Sequence, residues 1–516
     1  NGFGRVEVVY GGESAEWGSG AVSGGIHLHA KAPSEGFKAG LYSSYGSFDQ
    51  LSRQLDLSIG KEKWGARLSA QFDDAQNDFP FQLSPDLPVQ QLSNAAFEQQ
   101  ITQQQLYWHP SQKHYFEFNA WQQQTDRNIP PTTVQNRSLA SQSDRIWRQT
   151  LHWKGIFKNS QWNGRVAYFR EEIVYRDDLI GLVAPSDFDT YLIRLDRSQN
   201  WRDKWIFKTG LHFQYAEAIA DGYAQEQQQT QVALYQQAQF YFHPHWTAKA
   251  TVRFEKVIEG ENIPSFDIEL NHDLTKHSQV YASWSRDFRL PTLNDRFWAV
   301  GGKPDLATEF SWNQSLGFRG NTHHQNHRLH YEIEWFNRNV DDWIQWSQQE
   351  NTNLWSADNV AEVWSRGVAS HLKWVIASEK AQLSTTLRHQ WVKSTYETTI
   401  INPDIPKGTQ LWYTPEHQLS GGMSYQRPHW QISYQQQWTA ETNGINDDLP
   451  AFSIANLRGE CKLGRKFQST LFAQCNNLWD TQYRVIERRV MPGRHFRVGL
   501  ALTFHHKKLN NKQSYL

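Results

Sequence analysis

Cysteine, methionine and long apolar runs are what this 516-residue chain has least of. Its two cysteines, Cys461 and Cys475, fall on neighbouring strands of one expected hairpin that turns near Leu463 to Lys466. Cys475 then stands about seven residues further from the turn than Cys461, or roughly 20 Å at strand rise, beyond disulfide reach. Two unpaired thiols are expected. No stretch approaches the roughly 18 apolar residues of a membrane helix, and hydrophobic residues make up only 38% with a mean hydropathy of −0.73, so a helical membrane protein is excluded. Neither charge is in excess: 52 Lys and Arg meet 53 Asp and Glu, so no basic surface points to nucleic acid. There is no Gly-x-Ser-x-Gly elbow and no His-Glu-x-x-His, which leaves catalysis without a foothold. The chain opens at Asn1 with neither an initiator Met nor a signal peptide, and further chain is expected upstream.

Aromatics are plentiful, with 24 Trp, 20 Tyr and 28 Phe. A polar chain rich in Trp and Tyr suits a transmembrane barrel, with its wet interior, thin apolar band and aromatic girdles. An aromatic-rich propeller or sandwich is the soluble alternative. In the last regular stretch, Phe496, Val498, Leu500, Leu502 and Phe504 share one strand face, and His495, Arg497, Gly499, Ala501 and Thr503 share the other. About eleven residues at strand rise is the length a tilted strand needs to cross a bilayer. The same alternation recurs at Ala248–Glu255, Leu329–Trp335 and Leu211–Tyr215. Short connections (Gly60–Lys63, Pro110–Lys113, Asn159–Gln161, His243–Trp246) alternate with longer ones (Asp74–Phe97, Asp126–Arg145, Asp287–Glu309, Asn339–Val363, Ser394–Glu416, Asn477–Gly493). Turns on one side and loops on the other predict an all-β, transmembrane antiparallel up-and-down β-barrel of about 22 strands from Phe37 to Phe504. No four-stranded blade repeats at a fixed period, as a propeller requires.

Four stretches carry a family resemblance. Residues 5–31 hold a valine-rich strand, a glycine-rich turn and a second strand; Ser285–Phe297 reads Ser-Arg-Asp-Phe-Arg-Leu-Pro-Thr-Leu-Asn-Asp-Arg-Phe, followed by Gly302–Glu309. Trp355–Val368 is the third, and Asn476–Tyr483 running into Met491–Arg494 the fourth. Together, in this order, they resemble the TonB-dependent outer-membrane receptors. Tyr10, Gly12, His27, His29, Lys303 and Thr308 depart from the family's usual residues. The resemblance implies a barrel occluded by an N-terminal plug, and divides the chain into a plug remnant (1–35), the barrel (36–504) and a polar periplasmic tail (505–516). It further implies a monomer in the outer membrane of a Gram-negative bacterium, in contact with outer-membrane lipid, that imports a metal chelate, a ferric siderophore or a cobalamin-type ligand. Energy would come from the TonB complex acting on an N-terminal box. The chain by itself is then expected to be inert in transport and its full-length parent active. Alternatives are a passive porin or adhesin barrel, or a haem or glycan receptor of the same family. No enzymatic activity, cofactor or nucleic-acid partner is expected.

For ligand contact the outer loops offer Arg127, Arg289, Arg296, Trp298, Trp343, Trp346 and Arg488. Arginine pairs with carboxylate or catecholate oxygens, and tryptophan stacks on flat chelates. The bland reading is that Arg289 anchors the barrel rim and that the tryptophans belong to the interfacial girdle. Asp73, Asp74 and Asp78, and Asp177 with Asp178, are weak calcium candidates, since their spacing matches no calcium loop. His323, His324 and His327 invite a metal reading but fall in an expected periplasmic turn; no metal site is assigned.

Overall fold

The computed structural model describes residues 3–506 except 23, 32–34, 85, 259, 350–353, 399–404 and 465–467. Twenty-two antiparallel strands, from Gly36–Gly46 to His495–His506, close into one barrel, each bonded to its neighbours in sequence. The last pairs with the first, Leu502 opposite Leu41. Closure leaves no edge strand, and an even count brings both barrel termini to the same end. Among the described residues no helix is long and apolar enough to cross a membrane.

The wall is inverted relative to a water-soluble protein. Phe496, Val498, Leu500 and Phe504 stand exposed on the outside, while Arg497 turns inward to donate to Ser52 Oγ at 2.7 Å. Likewise Val252 and Phe254 are exposed, whereas Arg253 and Glu255 between and beside them are 1% exposed and paired at 2.6 Å. Apolar area costs about 25 cal/mol per Å² in water, so an apolar outer band around a charged interior belongs in lipid. Aromatic rings mark its borders. Near the short turns, Trp64 lies opposite Trp108, Trp205 stacks on Phe240 at 4.0 Å and Trp246 on His272 at 4.1 Å. Toward the loops, Tyr168, Tyr191 and Tyr215 form a row with centroids 5.0 and 6.1 Å apart.

Connections at one end are two to four residues long, as expected. The opposite end departs from the expectation in two ways. Connections 47–50, 178–181 and 258–261 are as short as the turns, so the alternation of lengths is not strict. The long loop expected over Asn339–Val363 is mostly strand: His327–Gln348 and Trp355–Ala377 run to 22 and 23 residues. Above the apolar band neither face needs lipid-soluble residues, so the ladder continues after the alternation that betrays it has ended. A bulge between Val340 and Trp343, with Asp342 at φ 57°, bends the extension. Trp343 and Trp346 therefore sit on a strand rather than in a loop, and Arg127 and Arg289 at strand ends. The cysteines are free, with Cys461 opposite Leu471 and Cys475 opposite Leu457, four register positions apart rather than seven.

Residues before the barrel form a hairpin, β1 (Phe3–Tyr10) and β2 (Gly24–Ala30), joined through the single-turn helix α1 (Ser14–Trp17). Helix α1 lies against the barrel strands Trp246–Val257, Asn262–Thr275 and Ser278–Arg289. Of the expected polar tail, residues 507–516 lie outside the described residues.

Candidate functional site

The lumen wall beside α1 is a polar network. Ser14 N donates to Asp287 Oδ1 at 2.8 Å, Gly20 N to Phe288 O at 3.2 Å, and Leu290 N to Ser19 Oγ at 2.9 Å. Glu16 receives Lys208 Nζ at 2.5 Å and Arg194 Nη2 at 3.4 Å. Arg194 also lies 4.1 Å above the Trp17 ring and bonds Tyr235 and Asp196. Gly12 admits no side chain, since a Cβ there would stand 1.7 Å from Asp287 Oδ2. Beside this segment, a cavity of about 590 Å³ reaches from Gly11 and Gly12 along the adjoining wall to Glu332, Arg338, His371 and Gln390.

Five of the seven expected ligand contacts have partners within the loop-end rim. Helix α2 (Leu293–Phe297) starts on a capping box, Asp295 N to Thr292 Oγ1 and Thr292 N to Asp295 Oδ2. Asp295 also accepts from Trp346 Nε1 at 2.8 Å and faces Arg289 at 3.6 Å. Arg289 grips Glu309 with two bonds of 2.6 and 2.7 Å, and Glu309 in turn accepts from Ile344 N. Arg296 donates twice to Pro304 O. Trp298 packs edge-on against Tyr223, whose hydroxyl bonds Asn294. Burial, with the Asp295 charge adding, pushes the Tyr223 phenol up to about 12. Trp343 packs on the cluster of Val340, Val363, Tyr396 and Ile405.

Arg127 and Arg488 line cavities. Arg127 pairs with Asp144 at 3.1 Å and borders a pocket with Phe48, Phe97, Pro130 and His495. Arg488, at φ 61°, lines a cavity of about 820 Å³ walled by the 76–96, 440–451 and 477–494 connections. That cavity also gathers Arg484, Arg494, Tyr483 and Phe81, which the sequence reading passed over; the run of arginines at 484, 488, 489 and 494 was the available signal. Glu487 ties its walls together by accepting from Asn446 N, Asn446 Nδ2 and Asp447 N. Burial pushes its carboxyl up, but these donors, led by the Asn446 side chain, outweigh burial and hold it below the usual carboxylate range.

The acidic candidates do not converge. Asp73 accepts from Ser52 on the lumen face, Asp74 is its neighbour on the opposite face of the strand, and Asp78 bonds Gln91 in the loop. Asp177 caps its own turn through Leu179 N. His324 and His327 face each other across the 325–326 turn.

A family description, the β-barrel of TonB dependent receptor-like proteins, matches residues 28–478. The vitamin B12 transporter BtuB of Vibrio vulnificus is 19% identical over 511 residues, 93% of this chain and 75% of that protein. BtuB of Photobacterium profundum is 24% identical over 179 residues, 33% of this chain and 29% of that protein. Among solved structures, the copper transporter OprC has a TM-score of 0.80 at 14% identity, covering 98% of this chain and 86% of its own. The FrpB iron transporter from Neisseria meningitidis has 0.80 at 13%, covering 98% and 88%. At such identities the structural likeness speaks for the fold.

Proposed function

The chain belongs to the TonB-dependent receptor family, whose members are outer-membrane receptors of Gram-negative bacteria, and on that premise we propose that it serves energy-coupled import of a metal chelate. The observation that carries this reading is the seating of residues 12–20 in the lumen. A passive pore gains nothing from an inward segment bonded to its wall at Asp287, Phe288 and Leu290 and ion-paired through Glu16. A segment that must yield under a pull needs such contacts: polar, replaceable by water, and few. We read residues 1–35 as the end of a plug; the exposed apolar face of Val6, Val8, Ile26 and Leu28 on the hairpin suits packing against the remainder of such a domain.

The cargo is a ferric siderophore or a cobalamin-type ligand. Relatives named as vitamin B12 transporters favour the second, while the arginines and aromatic rings of the 820 Å³ loop cavity suit any large anionic or flat chelate. The test is uptake of radiolabelled cyanocobalamin and ferric siderophores by cells lacking their own receptors and carrying the complete gene. Uptake of one of them, abolished by a protonophore, is expected. Entry of unrelated small solutes that ignores the protonophore would overturn the reading in favour of a passive pore.

A further inference from the structure

Low on the lumen wall, toward the short turns, three side chains from two paired strands converge: His330 and Glu332 from His327–Gln348, and His371 from Trp355–Ala377. Glu332 and His371 are directly opposite in register, and one donor atom of each of the three lies within 4.8 Å of the others. We propose that these residues bind a divalent transition-metal ion of the zinc, copper or nickel class, with water completing the shell.

Four observations carry the assignment. First, His371 Nε2 is shut off from solvent and has no hydrogen-bond partner among the described residues, a costly state for an imidazole nitrogen and one that a metal relieves. Second, His330 Nδ1 lies 2.9 Å from Asn321 Oδ1, which fixes Nδ1 as the protonated nitrogen and leaves Nε2 with its lone pair, the usual outer-shell arrangement of a ligating histidine. Third, the Tyr281 hydroxyl reaches both Glu334 at 3.0 Å and Glu332 at 3.4 Å and so steadies the carboxylate. Fourth, Arg319, directly opposite Glu332 in the ladder, donates to Gln279 Oε1 at 2.7 and 3.0 Å instead of pairing with Glu332, whose carboxylate is left to the Tyr281 hydroxyl and a bound ion. Two imidazoles and a carboxylate are a donor set for borderline metals and a poor one for calcium or magnesium. Tetrahedral zinc sets its ligand atoms roughly 3.3 Å apart, inside the 4.8 Å within which these donor atoms already lie. Glu332 and His371 also border the 590 Å³ cavity, so an ion reaches the site from the lumen. The assignment is independent of the chelate reading, because the triad lies at the opposite end of the wall from the outer loops.

The test is Zn²⁺ titration of the complete, tag-free protein in detergent after chelator treatment. One tight equivalent is expected in the wild type, weakened roughly tenfold or more by His330→Ala, His371→Ala or Glu332→Gln, and roughly tenfold by Asn321→Ala. His324→Ala in the neighbouring turn should bind as the wild type does. Cu²⁺ electron paramagnetic resonance of the wild type alone gives a second reading, in which coupling to two imidazole nitrogens is expected. Triad variants that bind like the wild type, or a Cu²⁺ spectrum without nitrogen coupling, would overturn the assignment.

Discussion

The two faces of this one wall obey different rules. Outside, Leu500, Val252, Leu316 and Leu419 are interchangeable members of an apolar band, and what matters is only that they are greasy. Inside, neighbouring sectors differ: Arg253, Glu255 and Arg194 crowd against α1, while further along the wall Arg338 and His371 border a cavity. Lipid asks for a bulk property and the lumen for particular partners. A substitution should therefore be judged by which face it falls on before its chemistry is considered.

That contrast is sharpest where a charge is buried. Arg253→Ala strands Glu255, itself 1% exposed, and should cost about 3–5 kcal/mol of resistance to thermal or denaturant unfolding. Next come two neighbours on the closing strand. Leu500→Arg puts a cation into the apolar band at about 2–4 kcal/mol and should impair membrane assembly, whereas Ala501→Arg points to the lumen and should assemble nearly normally. Equal assembly of the pair, read from heat-modifiable migration on gels, would break the comparison. Glycines give a smaller version. Gly499 lies inside, where a Cβ would meet the Phe472 ring at 2.5 Å, and Gly499→Ala should cost about 1–3 kcal/mol. Gly421 lies outside with nothing within 4 Å, so Gly421→Ala should be neutral in the same unfolding assay. The smallest effect belongs to the loops, beyond both faces. Because hydrogen bonds hold Glu487 below 4.5, its contribution is complete above that pH and fades as pH falls through the depressed value. Glu487→Gln should lower stability slightly in the neutral range and flatten the acid limb of a stability-versus-pH curve, so that the two curves converge as pH falls through the depressed value.

Much of this was legible in the residues. The two-fold alternation of the last strand, the polar residues at turns such as Gly60–Lys63 and the strand count all follow from lipid on one face and water on the other. What the sequence hid lies where that asymmetry stops. Beyond the membrane, Asn339–Gln348 and Trp355–Val363 continue as strand although their pattern reads as loop. The rim residues were picked out by chemistry, but only the fold shows Arg289 already engaged by Glu309 and Trp346 by Asp295. The histidine pair that matters inside is not the adjacent run at 323–327. The pair we propose for metal is His330 with His371, which only the register of two strands brings together.

If import requires residues 12–20 to leave the wall, tethering them should stop it. The direct measurement replaces Ser14 and Asp287 with cysteine, in a background where Cys461 and Cys475 are serine, and joins them with a reducible thiol cross-linker. Energised uptake of the identified chelate should be lost in the cross-linked receptor and regained on reduction. Undiminished uptake through a fully cross-linked receptor would contradict the account.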